Sequence, residues 1–222
     1  MATTERQSRE LAAVRQRILG AARELFVRHG CDAVSLRKIA ESIGYTAPAL
    51  YTHFRDKSEL MSELCRQDFA ALAGDFVKLA KVADPVERIY RLGLAYIRFA
   101  REHPNHYRLM FMTPHLAEIA PPTEADIQAM SDPDQDAYAF LHKSVREAMA
   151  EGRFLPDHTD SELLAQTLWA GVHGVASLEI THGDCPWARW RSLDRRSRTM
   201  CAAMLKGLLR DPGSFSEKGR GT

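Results

Sequence analysis

Read for the spacing of its apolar positions, the chain resolves into a succession of helices, with no alternating run of the kind a strand requires. After a polar stretch over residues 1–10 that reads as a frayed end or a short basic arm, Leu11, Val14, Ile18, Ala21, Ala22, Leu25 and Phe26 trace one helical face. It ends at His29-Gly30. Leu36, Ile39, Ala40 and Ile43 repeat the i, i+3, i+4, i+7 spacing behind Ser35, a good N-cap, and Gly44 stops that short helix. Thr46 caps another helix two residues later, with Pro48 in its first turn, where a missing N–H costs little. Two helices joined so tightly must cross sharply, as in a helix-turn-helix.

Asp56 and Glu59 make a capping box that opens a longer helix through Leu60, Leu64, Phe69, Leu72, Phe76 and Leu79, broken at Asp84-Pro85. That length exceeds the needs of a three-helix domain and predicts a bridge into a second one. Val86 to Arg101 is the next helix, Pro104 ends it, and Tyr107 to Met112 form a short apolar cluster before Pro114. Pro114 to Pro133 reads as a loop with room for one helical turn. Asp134–Ala150, Asp160–Thr181 and Trp187–Leu209 bring the total to about nine helices by their apolar periodicity. Gly171 and Gly174 inside a helix predict a close approach to the backbone there. The expected fold class is therefore all-α: an N-terminal three-helix bundle with a helix-turn-helix over 1–60, a larger helical domain over 61–210, and a polar tail over 211–222.

Composition changes this picture little, since 222 residues with 45% hydrophobic and 27% charged side chains describe an ordinary globular protein. Charge is more informative by position. Net charge is only +1, yet residues 1–60 hold ten Lys/Arg against seven Asp/Glu, which places the positive balance on the helix-turn-helix. The four cysteines form no Cys-x-x-Cys pair, and neither a signal peptide nor a membrane-spanning apolar run is legible. A cytoplasmic protein with reduced thiols and no membrane partner is expected.

The second short helix separates its residues in a way that core packing alone does not require. Leu50 and Phe54 can face inward, leaving Tyr45, Thr46, Ala47, Pro48, Ala49, Tyr51, Thr52 and His53 on an outer surface of small, hydroxylated and aromatic-polar groups. Such a face suits the major groove: small residues admit base edges, methyls touch thymine, and hydroxyls reach bases or phosphates. Thr46, Ala47 and Ala49 are the candidate base contacts, with Ser35, Tyr51, His53 and Lys57 on phosphates and Arg37 among the further candidate DNA contacts. Lys57 stands at a helix start, where free N–H groups also favour an anion. Arg9, Arg15 and Arg17 are either phosphate contacts or, the better reading, a solvated charged face.

Ser-Leu-Arg-x-Ile-Ala, Ile-Gly-Tyr-Thr, Leu-Tyr-x-His-Phe and Lys-x-Glu-Leu, in one register from about Val14 to Leu64, resemble the N-terminal domain of TetR/AcrR-type transcriptional regulators. Pro48, Ala49 and Lys38 depart from residues common in that family, which bears on base preference and not on fold. Trp-Ala-Gly-Val-His-Gly at Trp169–Gly174 resembles the tryptophan-histidine-glycine (WHG) subgroup of the family's C-terminal domains. The resemblance implies a homodimer paired through its last two long helices, an inverted-repeat operator in double-stranded DNA, and a small, largely apolar effector of unknown identity that releases a repressor. Tyr96, Phe99, Tyr107, Met110, Phe111, Tyr138, Trp169 and His173 are the candidate effector-binding residues.

Other chemistry is weakly supported. His103, His106 and His115 lack further aligned ligands for a metal, no cofactor is implied, and no nucleophile elbow, phosphate loop or zinc-protease motif marks an enzyme. Two alternatives remain open: a regulator controlled by a protein partner, and a helical ligand-binding or enzymatic protein whose helix-turn-helix is incidental. Salt-sensitive binding to duplex DNA separates the last of these from a regulator.

Overall fold

A computed structural model describes residues 2–114 and 120–215. Among these, ten α-helices and no strand occur: α1 (Ala2–His29), α2 (Leu36–Ser42), α3 (Ala47–Tyr51), α4 (Lys57–Val77), α5 (Pro85–Glu102), α6 (Pro104–Met112), α7 (Glu124–Ala129), α8 (Ala137–Ala150), α9 (Ser161–His182) and α10 (Leu193–Leu208). The single Phe154–Leu209 bridge builds no sheet. The chain divides into two compact units, residues 1–68 with 105–126, and residues 69–104 with 127–222. The division falls inside α4, and it assigns the α6 segment, which the sequence places in the larger domain, to the first unit.

In the first unit α1, α2, α3, the start of α4 and α6 share one core. Ile18, Leu19, Ala22 and Phe26 meet Leu36, Ile39 and Ala40, then Leu50 and Phe54, Leu60, Met61 and Leu64, and Leu109. Beside that core lies a buried charge. Asp68 is 0% exposed and receives both Arg23 Nη2 (2.6 Å) and Nε (3.2 Å), while His106 Nδ1 lies 2.9 Å from the same carboxylate. A paired fork of this geometry is what allows a carboxylate to leave water.

In the second unit α5 packs against α8, α9 and α10, and α9 packs on α8 and α10. Asp84 caps α5 by accepting from Val86 N (2.8 Å) and Glu87 N (3.2 Å), with Pro85 in the first turn. Arg88 is buried and donates to Glu147 (2.5 Å) and to the carbonyls of Val82 (3.0 Å) and Ala83 (3.3 Å), which fixes the turn before α5 to α8. Close approach explains Gly171, since a Cβ there would stand 2.1 Å from Met204 Sδ on α10. Gly174 differs from expectation, because a Cβ there would meet nothing within 4 Å.

Several boundaries depart from the periodic reading. Helix α1 begins at Ala2, so residues 2–10 extend it and form no separate arm. In the segment expected as a loop, Glu124–Ala129 forms α7, and residues 115–119 lie outside the described residues. The last helix starts at Leu193, not Trp187, because Ser192 caps it by accepting from Arg195 N at 3.4 Å. In the expected polar tail, Pro212–Ser214 makes a 3-10 turn, and Phe215 is buried with its ring 5.1 Å from that of Tyr90; residues 216–222 lie outside the described residues.

Two stability outcomes follow from this packing. Arg23→Ala strands a buried carboxylate and is expected to cost about 3–5 kcal/mol in urea denaturation, with Arg23→Ala/Asp68→Asn recovering part of the loss. Gly171→Val overpacks the α9–α10 contact and is expected to cost about 1–3 kcal/mol.

Candidate nucleic-acid interface and polar cluster

The α2–α3 unit is built from local capping. Ser35 Oγ accepts from Lys38 N at 3.2 Å, and Gly44 takes φ +72°, which lets Tyr45 N bond back to Ala40 O at 2.9 Å. Thr46 Oγ1 accepts from Ala49 N at 3.4 Å to start α3. Asp56 Oδ1 accepts from Glu59 N (2.8 Å), which also holds its carboxyl below the usual aspartate range, while Glu59 reaches back to Arg55 N (2.8 Å). The box is therefore one residue wider than the sequence suggests.

Leu50 and Phe54 turn inward at 0% and 1% exposure, leaving Thr46, Pro48, Tyr51 and Thr52 exposed and Tyr45, Ala47, Ala49 and His53 half-buried. Three candidate DNA contacts already have partners in the chain. Arg37 pairs with Glu41 at 2.8 Å, and the Thr52 hydroxyl donates to Ala49 O at 2.7 Å. Lys57 Nζ donates to Cys31 O at 2.6 Å, tying the α1–α2 loop to the start of α4. Lysine has three donors, so two of them stay available to a phosphate.

Arg15 and Arg17 are not a merely solvated face. Arg15 Nη1 donates to His53 O at 2.7 Å with its guanidinium 4.1 Å from the Phe54 ring centre, and Arg17 stands 5.6 Å from that of Tyr45. These contacts hold both ends of α3 against α1. No spacing rule reveals them, because they arise between segments 28 or more residues apart in the chain.

In the second unit, four candidate effector residues form one connected set. Tyr96 Oη lies 3.0 Å from His173 Nδ1, the Trp169 ring is 6.1 Å from that of His173, and Tyr138 is 5.9 Å from Trp169. Burial lowers the His173 pKa, so its imidazole is neutral at pH 7 and offers one donor and one acceptor. Tyr138 donates to Glu162 at 2.5 Å, and burial together with this partner pushes its phenol up to about 12. His142, which approaches Ser161 at 2.9 Å and Glu162 at 3.3 Å, extends the cluster beyond the sequence reading; its position four residues after Tyr138 was the available signal. Phe99 is buried on α5 with its ring 5.0 Å from His103. Tyr107, Met110 and Phe111 lie on α6, in the first unit.

Among the described residues no group of three potential metal ligands occurs; His115 lies outside them. Burial raises the Cys31 thiol and pushes Cys65 up to about 12, so both stay protonated near neutral pH, unlike a reactive thiol. Among the described residues no helix is long and apolar enough to cross a membrane.

Comparison with known proteins follows the same division. The transcriptional repressor AcnR of Corynebacterium diphtheriae is 39% identical over 64 residues, 29% of this chain, and the match spans about a third (34%) of that relative. The transcriptional repressor KstR2 of Mycolicibacterium smegmatis is 26% identical over 166 residues, covering 72% of this chain and 78% of that one. The solved structure of the ketosteroid transcriptional regulator KstR2 of Mycobacterium tuberculosis shares the fold, with a TM-score of 0.64 at 21% identity over 89% of this chain and 95% of that one. Residues 18–64 match the profile of bacterial regulatory proteins of the tetR family, and residues 89–207, more than half of the chain, match the tetracyclin repressor-like C-terminal domain. The chain belongs to the TetR family of bacterial regulatory proteins.

Proposed function

We propose that the protein is a cytoplasmic transcriptional repressor that binds an inverted-repeat operator as a homodimer and is released by a small, largely apolar molecule. The observation that carries the reading is the outward face of α3, where small and hydroxylated residues project while Leu50 and Phe54 fix the helix from beneath. Repression is favoured because relatives such as AcnR and KstR2 are named repressors. Thr46, Ala47 and Ala49 take base edges, and Ser35, Tyr51, His53 and Lys57 take phosphates. The dimer pairs through α9 and α10. Its support is the row Leu163, Thr167, Ala170, Gly174 and Leu178 on one side of α9, of which Leu163 is 59% and Leu178 45% exposed. Two-fold symmetry in the protein then requires two-fold symmetry in the operator.

The effector binds the second unit, where Trp169 and Tyr138 supply aromatic surface and the Tyr96–His173 pair supplies the polar handle that orients it. Regulation requires that the effector prefer a conformation in which the two copies of α3 no longer match successive major grooves. A typical coupling of about 1–3 kcal/mol would weaken operator binding roughly 5- to 150-fold. Helix α4 is the lever, as one continuous helix from Lys57 to Val77 that belongs to both units.

Three measurements check this reading. Lys57→Ala is expected to weaken binding to all duplexes alike and to reduce the salt slope by about one unit in fluorescence anisotropy; a changed base preference with an unchanged slope contradicts the phosphate assignment. Reciprocity requires operator DNA to weaken effector binding by the same factor as the effector weakens DNA binding, so calorimetry showing equal affinity with and without DNA rules out release by that molecule. Because His173 resists protonation when folded, the unfolded chain takes up its proton first as pH falls below about 6.5, and stability declines from there towards the folded pKa. His173→Gln is expected to flatten the fall of the thermal midpoint between about pH 7 and 5.5.

A further inference from the structure

The turn between α9 and α10 presents an indole to solvent in a braced position. Trp187 is 68% exposed, with its ring edge-on to Trp190 at 5.4 Å and to His182 at 5.8 Å. Trp190 is itself held, since Nε1 donates to Cys185 O at 3.1 Å and the Arg196 guanidinium stands 5.0 Å from its ring. Of the five arginines between Trp187 and Arg198, Arg196 pairs with Glu179 and Arg198 with Asp194. Arg189, Arg191 and Arg195 are exposed and make no ion pair among the described residues. This is a rigid aromatic tip in a cationic rim, a combination typical of an interface anchor.

A complementary surface exists in the same unit. Residues 127–136 hold Asp132, Asp134 and Asp136 and no Lys or Arg, with Ile127 55% and Met130 53% exposed. Asp134 is exposed, and its carboxylate has no ion-pair partner among the described residues. This segment leads directly into α8, whose first turns lie at the N-terminal end of α9 through Tyr138–Glu162 and His142–Ser161. The Trp187 tip lies at the opposite end of α9, against His182. A helix of 22 residues is about 33 Å long, so the two surfaces of one subunit cannot meet. Antiparallel pairing of α9 with its two-fold copy brings the C-terminal end of one against the N-terminal end of the other.

We propose that the Trp187 tip of each subunit docks on the acidic 127–136 segment of a second copy of this chain, so that two reciprocal clamps flank the α9 pairing. Trp187 packs against Ile127 and Met130, while Arg189 and Arg191 face Asp134 and its neighbours. The inference rests on the homodimer proposed above and adds a contact outside the helical pairing. Because the segment docked upon leads into the helix that carries Tyr138, the clamp places the second subunit beside the effector cluster.

Sedimentation of the full chain tests it, with circular dichroism and thermal midpoints identifying variants whose fold is intact. Arg189→Glu/Arg191→Glu is expected to raise the dimer Kd roughly tenfold, adding Asp134→Arg to restore at least threefold of it, and Trp187→Ala to weaken the dimer without changing charge. A dimeric wild type with all variants at its Kd overturns the clamp and leaves the dimer standing, as does weakening by the arginine reversal that Asp134→Arg does not relieve. A monomeric wild type at concentrations of order 100 μM, well above ordinary dimer Kd values, overturns the dimer and the clamp together.

Discussion

A five-residue helix has almost no stability of its own, because nucleation costs more than one or two turns of hydrogen bonds return. Everything proposed for the DNA-facing surface depends on how the chain holds α3 in place. Leu50 and Phe54 sink into a core shared by four other helices, and Arg15 caps the far end from α1 while stacking on Phe54. The exposed outer residues Thr46, Pro48, Tyr51 and Thr52 are thereby released from core packing. They can be small and polar because the inner ones and the arginines supply the anchoring.

The same economy extends to the base of the unit. Asp68 on α4 is buried beside Arg23 of α1 and His106 of α6, so the three helices are joined by polar as well as apolar contact. Such a network fixes one arrangement, since any displacement that separates the fork leaves a carboxylate without water or partner. Because α4 continues past Asp68 to Val77, a shift imposed on its distal half acts on a rigidly tied proximal half.

Most of the architecture was legible in the sequence because apolar spacing and capping are local. Ser35, Gly44, Thr46, Asp56 and Asp84 mark their helix boundaries through contacts within about four residues, the range of a single turn. What escaped depends on contacts between distant segments. The Lys57–Cys31 tie and the Arg15 cap cross 26 and 38 residues, and the burial of Phe215 requires Tyr90, far back in the chain. Residue type singles out Tyr96, and the Trp-Ala-Gly-Val-His-Gly resemblance singles out Trp169 and His173; their mutual hydrogen bond and ring contacts need the fold, as does the placement of Tyr107, Met110 and Phe111 in the first unit.

The central claim is that α3 of a two-fold dimer reads an inverted repeat. Selection from a pool of random duplexes, followed by sequencing and repeated with Ala47→Glu, tests it most directly. The account predicts enrichment of a palindrome whose half-sites are centred about one helical turn of DNA, or a multiple, apart, and its loss in the variant with the fold retained. Enrichment of an asymmetric site, or a palindrome bound equally well by Ala47→Glu, would contradict it.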